Sequence, residues 1–355
     1  MESDKYLKTF DPSGVGLKNG RFIGLPFDEK DARIVLHSVP WDVTVSFGEG
    51  TASGPLNILE ASSQLDLYDE DWPEAWKAGI FMRPPDPAWQ QRNDSLRLLA
   101  KQYIAFLEAG GNPMENAEMI AHQRLINEAC RELHDWVREE TASLLDKGKL
   151  VGVVGGEHSV PFGFLEALSA VHSDGFGILQ IDAHQDLREA YEGFTFSHAS
   201  IFFNAMKLPS IQKLVQVGIR DTSPAEVQFA QDSQGRIECW SMQDIRRQQF
   251  EGTSMHRILA TIVESLPQKV YISFDIDGLD PACCPHTGTP VPGGLGFHEA
   301  MHLLRLVVES GRRIIGFDLC EVAGLGHDWD GNVGARVLYK LCTFMGRSND
   351  LNVGI

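Results

Sequence analysis

The run Gly177-Ile178-Leu179-Gln180-Ile181, followed at once by Asp182-Ala183-His184-Gln185-Asp186, constrains the fold more than any other stretch. The first five residues are short, apolar and preceded by Gly175, the pattern of a buried strand. Three potential metal ligands leave its carboxyl end at alternate positions. On extended backbone such side chains share a face and stand roughly 6.5–7 Å apart, so 182, 184 and 186 converge only where the chain bends. Two carboxylates with one imidazole suit a hard or borderline divalent ion, Mn²⁺ first. Taken alone, the triplet reads as well as a charged loop.

Two more strand ends change that. Gly155-Gly156-Glu157-His158-Ser159 follows the apolar run Leu150 to Val154, and Asp275-Ile276-Asp277-Gly278-Leu279-Asp280-Pro281 closes the strand Lys269 to Ser273. Together they supply His158, Asp182, His184, Asp186, Asp275 and Asp277. Buried carboxylates left unpaired are costly, so several meeting at one place call for cations. Six ligands, some shared, match two ions.

The ordered set of motifs resembles the ureohydrolase (arginase–agmatinase) family, over roughly Val39 to Leu341. The resemblance implies a single α/β domain, an arginase-like three-layer sandwich with a mostly parallel sheet and helices on both faces. It implies two Mn²⁺ ions, with Ni²⁺, Co²⁺ or Fe²⁺ as alternatives. His158 would bind one ion and His184 the other. Asp182 and Asp275 would bridge them, with Asp186 completing the first site and Asp277 the second. His198, in Tyr191-Glu192-Gly193-Phe194-Thr195-Phe196-Ser197-His198, resembles the family histidine that transfers protons. Glu321, in Asp318-Leu319-Cys320-Glu321, resembles the glutamate that holds the guanidinium. Asp318 is expected to support the ligand shell or the structure, and Asp280 to order its turn. His286 replaces a common family glycine, so strained backbone and a side chain aimed at the substrate are both expected there. His298 and His302 stand i,i+4 but lack the Glu of a His-Glu-x-x-His site; an amphipathic helix explains them better.

Alternation of elements supports the same fold without the family. Strands are expected at 33–38, 150–154, 177–181, 213–219, 237–240, 269–275 and 313–319. Helices are expected at 55–61, around 96–107, at 117–145, and at 160–170, 223–231, 241–249, 255–265, 297–310 and 332–345. Ligands in such sheets bind at the carboxyl ends of the strands, where all three motifs lie. Residues 1–32 read as a polar N-terminal extension and 33–350 as the catalytic domain. Within it, 72–149 is a family-divergent helical segment, opening with an aromatic, proline-rich connection from Trp72 to Trp89. It reads as surface helix, with a lid or oligomer contact as the alternative.

A net charge of −18 disfavours nucleic acid and anionic membrane surfaces, and suits a small cationic substrate. No apolar run is long enough to span a bilayer, and six cysteines in 355 residues form no disulfide framework, which points to the cytoplasm. The expected reaction is hydrolysis of a C–N bond in a guanidino compound to urea and an amine, agmatine to putrescine first. Arginase, formimidoylglutamase and another guanidino-acid or guanidine hydrolase are the enzymatic alternatives. A non-catalytic metalloprotein on the same scaffold would lack a ligand, His198 or Glu321, and none is missing. A single-zinc deacetylase would not need both Asp275 and Asp277. The resemblance implies a homo-oligomer, trimer or hexamer.

Overall fold

The computed structural model describes residues 10–351; residues 1–9 of the N-terminal extension lie outside that range. Eight strands form one sheet: β1 (Ile34–Ser38), β2 (Ile80–Met82), β3 (Leu150–Val154), β4 (Phe176–Ile181), β5 (Ile211–Ile219), β6 (Ile237–Ser241), β7 (Lys269–Asp275) and β8 (Arg313–Cys320). Their order is β2-β1-β3-β8-β7-β4-β5-β6, and every neighbouring pair is parallel. The central strands β3, β4, β7 and β8 are buried almost end to end, as parallel strands covered on both faces must be.

The chain lays β7 and β8 between β3 and β4. That insertion brings the four motif-bearing strand ends side by side. Register does the rest: Ile181 pairs with Phe274, Asp275 with Cys320, and Val154 with Leu319. Asp182, Asp275, Glu321 and the turn Gly155–His158 therefore leave the sheet at one level.

Among the described residues ten α-helices cover the sheet: α1 (Gly54–Ala61), α2 (Pro87–Glu108), α3 (Ala117–Asp146), α4 (Phe162–Val171), α5 (Ile201–Ala205), α6 (Pro224–Asp232), α7 (Met242–Phe250), α8 (Met255–Glu264), α9 (Phe297–Glu309) and α10 (Asp328–Ser348). One group, with α1, α9 and α10, packs on β8; another joins α2, α3, α4 and α5. No helix among the described residues is long and apolar enough to cross a membrane. All six cysteines are free.

Two expectations change. The Trp72–Trp89 connection contains a strand, β2, too short at three residues to show a period; its register against β1 starts at Ile34 and Ile80. Pro87 and Trp89 belong to α2, which Pro87 opens while Asp86 caps it by accepting from the amides of Ala88 and Trp89. The N-terminal segment is not merely polar, since Phe22, Ile23, Leu25 and Phe27 are buried in the core.

The divergent segment is built into this core. Along α3, Ile126, Ala129, Cys130, Leu133 and Val137 are fully buried, the spacing of one helical face. At its contact with α4, a Cβ on Gly163 would stand 2.1 Å from the His134 carbonyl oxygen. Only glycine permits that approach. Gly163→Ala is expected to destabilise the protein by about 1–3 kcal/mol through overpacking, read as a lower urea midpoint at unchanged slope.

Candidate metal centre

Six predicted ligands meet at the strand ends. His158 Nδ1 lies 2.9 Å from Asp182 Oδ2, 2.9 Å from Asp186 Oδ2 and 3.3 Å from Asp275 Oδ2. His184 Nδ1 lies 3.5 Å from Asp182 Oδ1 and 3.1 Å from Asp277 Oδ2. Two groups with metal-binding geometry result, His158–Asp182–Asp275 and Asp182–His184–Asp277, which share Asp182. Asp186 joins the first through its contact with His158. All but His184 are buried.

Backbone detail aims these side chains. Asp182 is hemmed in by two glycines. A Cβ on Gly278 would stand 2.6 Å from its nitrogen, and one on Gly218, at φ +103°, 2.7 Å from its carbonyl oxygen. Asp186 (φ +54°) and Glu321 (φ +61°) occupy the left-handed region, two of six non-glycine residues that do so among those described. Such conformations cost about 1–3 kcal/mol and gather where function fixes a side chain.

The imidazole of His158 has a defined tautomer. Ser273 Oγ gives its proton to Asp318 Oδ2 at 2.6 Å, so at 3.0 Å it can only accept from His158 Nε2–H. With Nε2–H committed to Ser273, Nδ1 is the ring atom that faces the carboxylates, where a metal would sit. Asp318 thus supports the cluster through Ser273, as expected. Ser273 itself escaped the sequence reading; its signal was position, since it precedes Asp275 by two on one strand and shares its face.

Electrostatics show how crowded the charge is. Burial and the charge of Asp182 push the Asp186 carboxyl up to about 7. Burial, then Asp277, Asp182 and Glu321, push Asp275 well above the carboxylate range. Burial opposes charge on His184, yet Asp277 and Asp182 raise its imidazole to about 12. The cluster holds protons because its negative charge exceeds what two imidazoles neutralise. Divalent cations fit this donor set of four carboxylates and two imidazoles.

Glu321 stands beside the cluster. Its Oε1 accepts from the His158 amide at 3.0 Å, while Oε2 is buried with no hydrogen-bond partner among the described residues. Burial and the charge of Glu157 raise its carboxyl well above the usual range. Gly288 leaves room here; a Cβ there would stand 3.2 Å from Oε2. A cavity of about 150 Å³ opens between Glu321, His158, His184, Asp186, Asp275 and His198.

His198 reaches that cavity at the end of a loop held from outside. Gln123 and Asn127 of α3 both donate to the Gly193 carbonyl, at 3.0 and 3.1 Å, and Asn127 Oδ1 accepts from the Thr195 amide at 2.9 Å. No residue of 72–149 lines the cavity, yet that segment carries its His198 wall. Burial and the charge of His184 push the His198 imidazole down to about 3.

His286 departs from expectation. It is absent from the left-handed residues, and its imidazole pairs with Asp330 Oδ2 at 2.9 Å and stacks on His327 with ring centres 4.2 Å apart. The side chain is exposed outside the cavity, so it aims away from the substrate position. His302 pairs with His256 at 2.9 Å, not with His298. Asp280 orders its turn by accepting from the Ala282 amide at 3.0 Å.

Comparison with known proteins agrees with this geometry. The model of the Arginase family matches residues 32–343. An N(1)-aminopropylagmatine ureohydrolase of Thermus thermophilus is 31% identical over 89% of this chain and 92% of its own. An agmatinase of Halalkalibacterium halodurans is 29% identical over 82% of this chain and 84% of its own. The crystal structure of the agmatine ureohydrolase of Thermoplasma volcanium superposes with a TM-score of 0.69 at 20% identity, covering 98% of this chain and 99% of that one; it shares the fold.

Ser273→Ala removes the acceptor of His158 Nε2–H and the donor to Asp318. Mn²⁺ affinity is expected to fall roughly 10–100-fold, measured by competition titration against a fluorescent chelator.

Proposed function

This chain belongs to the arginase family, and from that premise we propose that it hydrolyses agmatine, or agmatine extended at its amine, to urea and the corresponding amine. The observation that carries the reading is Glu321: a buried carboxylate with one unpartnered oxygen, beside two ligand groups that share Asp182. A carboxylate so placed is the natural partner of a guanidinium, which can meet it with two parallel N–H donors in a dry site.

Asp182 and Asp275 would bridge two divalent ions, with His158 and Asp186 on one and His184 and Asp277 on the other. Such ions, when bound, lower the pKa of water and offset developing negative charge. The reading takes both to be Mn²⁺, and takes the protein to be a cytoplasmic homo-oligomer, trimer or hexamer.

The protein's own groups do the remainder. Glu321 orients the guanidinium so that its central carbon faces the cluster. That carbon is resonance-stabilised, so loss of planarity on attack needs a fixed position. His198 is neutral at rest, because burial and His184 oppose its charge. It takes a proton from the attacking water and returns it to the departing amine nitrogen. The C–N bond breaks, and urea leaves with the amine.

The N(1)-aminopropyl derivative is the second reading, favoured by the relatives bearing that name at 28–31% identity. Urea release is the deciding assay, with Mn²⁺-loaded protein against agmatine, N(1)-aminopropylagmatine, arginine, guanidinobutyrate, formimidoylglutamate and guanidine. Turnover of either of the first two, abolished by chelator and restored by metal, supports the reading; turnover of arginine alone overturns the substrate assignment. Two variants test the residues. Asp275→Ala is expected to abolish turnover and lower metal content, and full activity would refute the two-metal centre. Glu321→Gln is expected to reduce kcat/KM by at least about 100-fold with metal content unchanged.

A further inference from the structure

The hydroxyl of Thr44 lies between a buried carboxylate and the imidazole of His198. We propose that Thr44, locked by Glu157, is a positioning residue that sets the tautomer of His198 and aims its Nε2 into the cavity. This inference rests on the proton-transfer reading of His198 given above.

Glu157 is fully buried and receives three hydrogen bonds. Its Oε2 accepts from the Thr44 amide at 2.7 Å, and its Oε1 accepts from Thr44 Oγ1 at 2.8 Å and Ser159 Oγ at 2.6 Å. Three converging donors, one of them a backbone amide, suit an acceptor-only carboxylate. The single Thr44 hydroxyl proton is thereby spoken for.

A hydroxyl has one proton and two lone pairs. With the proton given to Glu157, both lone pairs of Thr44 Oγ1 point at His198. One accepts the His198 backbone amide at 3.1 Å; the other faces His198 Nδ1 at 3.4 Å. Since Oγ1 has nothing left to donate, Nδ1 must carry a hydrogen. The neutral imidazole is then the Nδ1–H tautomer, with its lone pair on Nε2. That atom lies 3.5 Å from Ser46 Oγ, which lines the same cavity. In the other tautomer two lone pairs would face each other across 3.4 Å, and Nε2 could take no proton from water.

The array also joins separate parts of the chain. Thr44 lies in the loop after β1, Glu157 in the turn after β3 beside His158, and His198 in the loop clamped by α3. The proton-transfer group is thus referenced to the strand end that carries a metal ligand.

Thr44→Val removes the hydroxyl while keeping side-chain shape and the amide bond to Glu157. We expect kcat to fall roughly 10–100-fold, with KM and bound metal unchanged, and Thr44→Ser to restore most of it. On a His198→Ala background, Thr44→Val should have no further effect. Wild-type kcat in Thr44→Val, a loss of metal from it, or the same fold-loss on the His198→Ala background would each overturn the proposal. If the valine variant does not fold, Thr44→Ala gives the same comparison. Full turnover in His198→Ala itself would overturn the proton-transfer reading and this inference with it, whereas a deep loss there with normal kcat in Thr44→Val overturns only the latter.

Discussion

Repulsion among buried carboxylates is the constraint from which the rest of the structure follows. Asp186, Asp275 and Glu321 line one small cavity, Asp182 and Asp277 stand beside it, and His158 and His184 are set among them. Two like charges 4 Å apart repel by about 4 kcal/mol at a protein-surface dielectric, so this set cannot ionise fully on its own. Burial and mutual repulsion accordingly hold Asp275 and Glu321 far above the ordinary carboxylate range. Left-handed backbone at Asp186 and Glu321 adds to the cost. A fold that bears such expense at one place, over an otherwise apolar core, is arranged for a cation.

Topology makes the crowding possible. Were β7 and β8 added at a sheet edge, their aspartates would stand several strand spacings of about 4.8 Å from Asp182. Inserted between β3 and β4, they bring Asp275 beside Asp182 and Glu321 beside Gly155. Parallel pairing throughout puts every carboxyl end on the same side, and close-packed glycines at 218 and 278 let the loops approach.

Much of this could be read from the chain. The six candidate ligands, His198 and Glu321 lie in short motifs at the ends of apolar runs; the structure brings the ligands together, and His158, His184, Asp186, Asp275, His198 and Glu321 line one cavity. The fold class followed from alternation of strands and helices. What stayed hidden was relational. Ser273 and Thr44 are ordinary residues in sequence; their importance comes from which partner already holds their single proton. Strand β2 is three residues long and carries no period. At His286 the family glycine would imply strain only if its φ were positive; His286 is not among the positive-φ residues, and Asp330 is the partner of both its amide and its ring nitrogen.

The segment 72–149 illustrates why position near a site and influence on it differ. It lines none of the cavity, yet Gln123 and Asn127 hold the loop that carries Tyr191 and His198, and Tyr103 packs on Phe194 with ring centres 5.3 Å apart. The candidate metal ligands are instead placed by the strand ends, Asp275 closing its strand and the others following theirs. A chain that changed α2 and α3 would therefore move the His198 wall of the cavity against the strand ends. The ligand motifs depend on the sheet and the His198 loop depends on the helices, so the two walls of the cavity are held by separate parts of the fold.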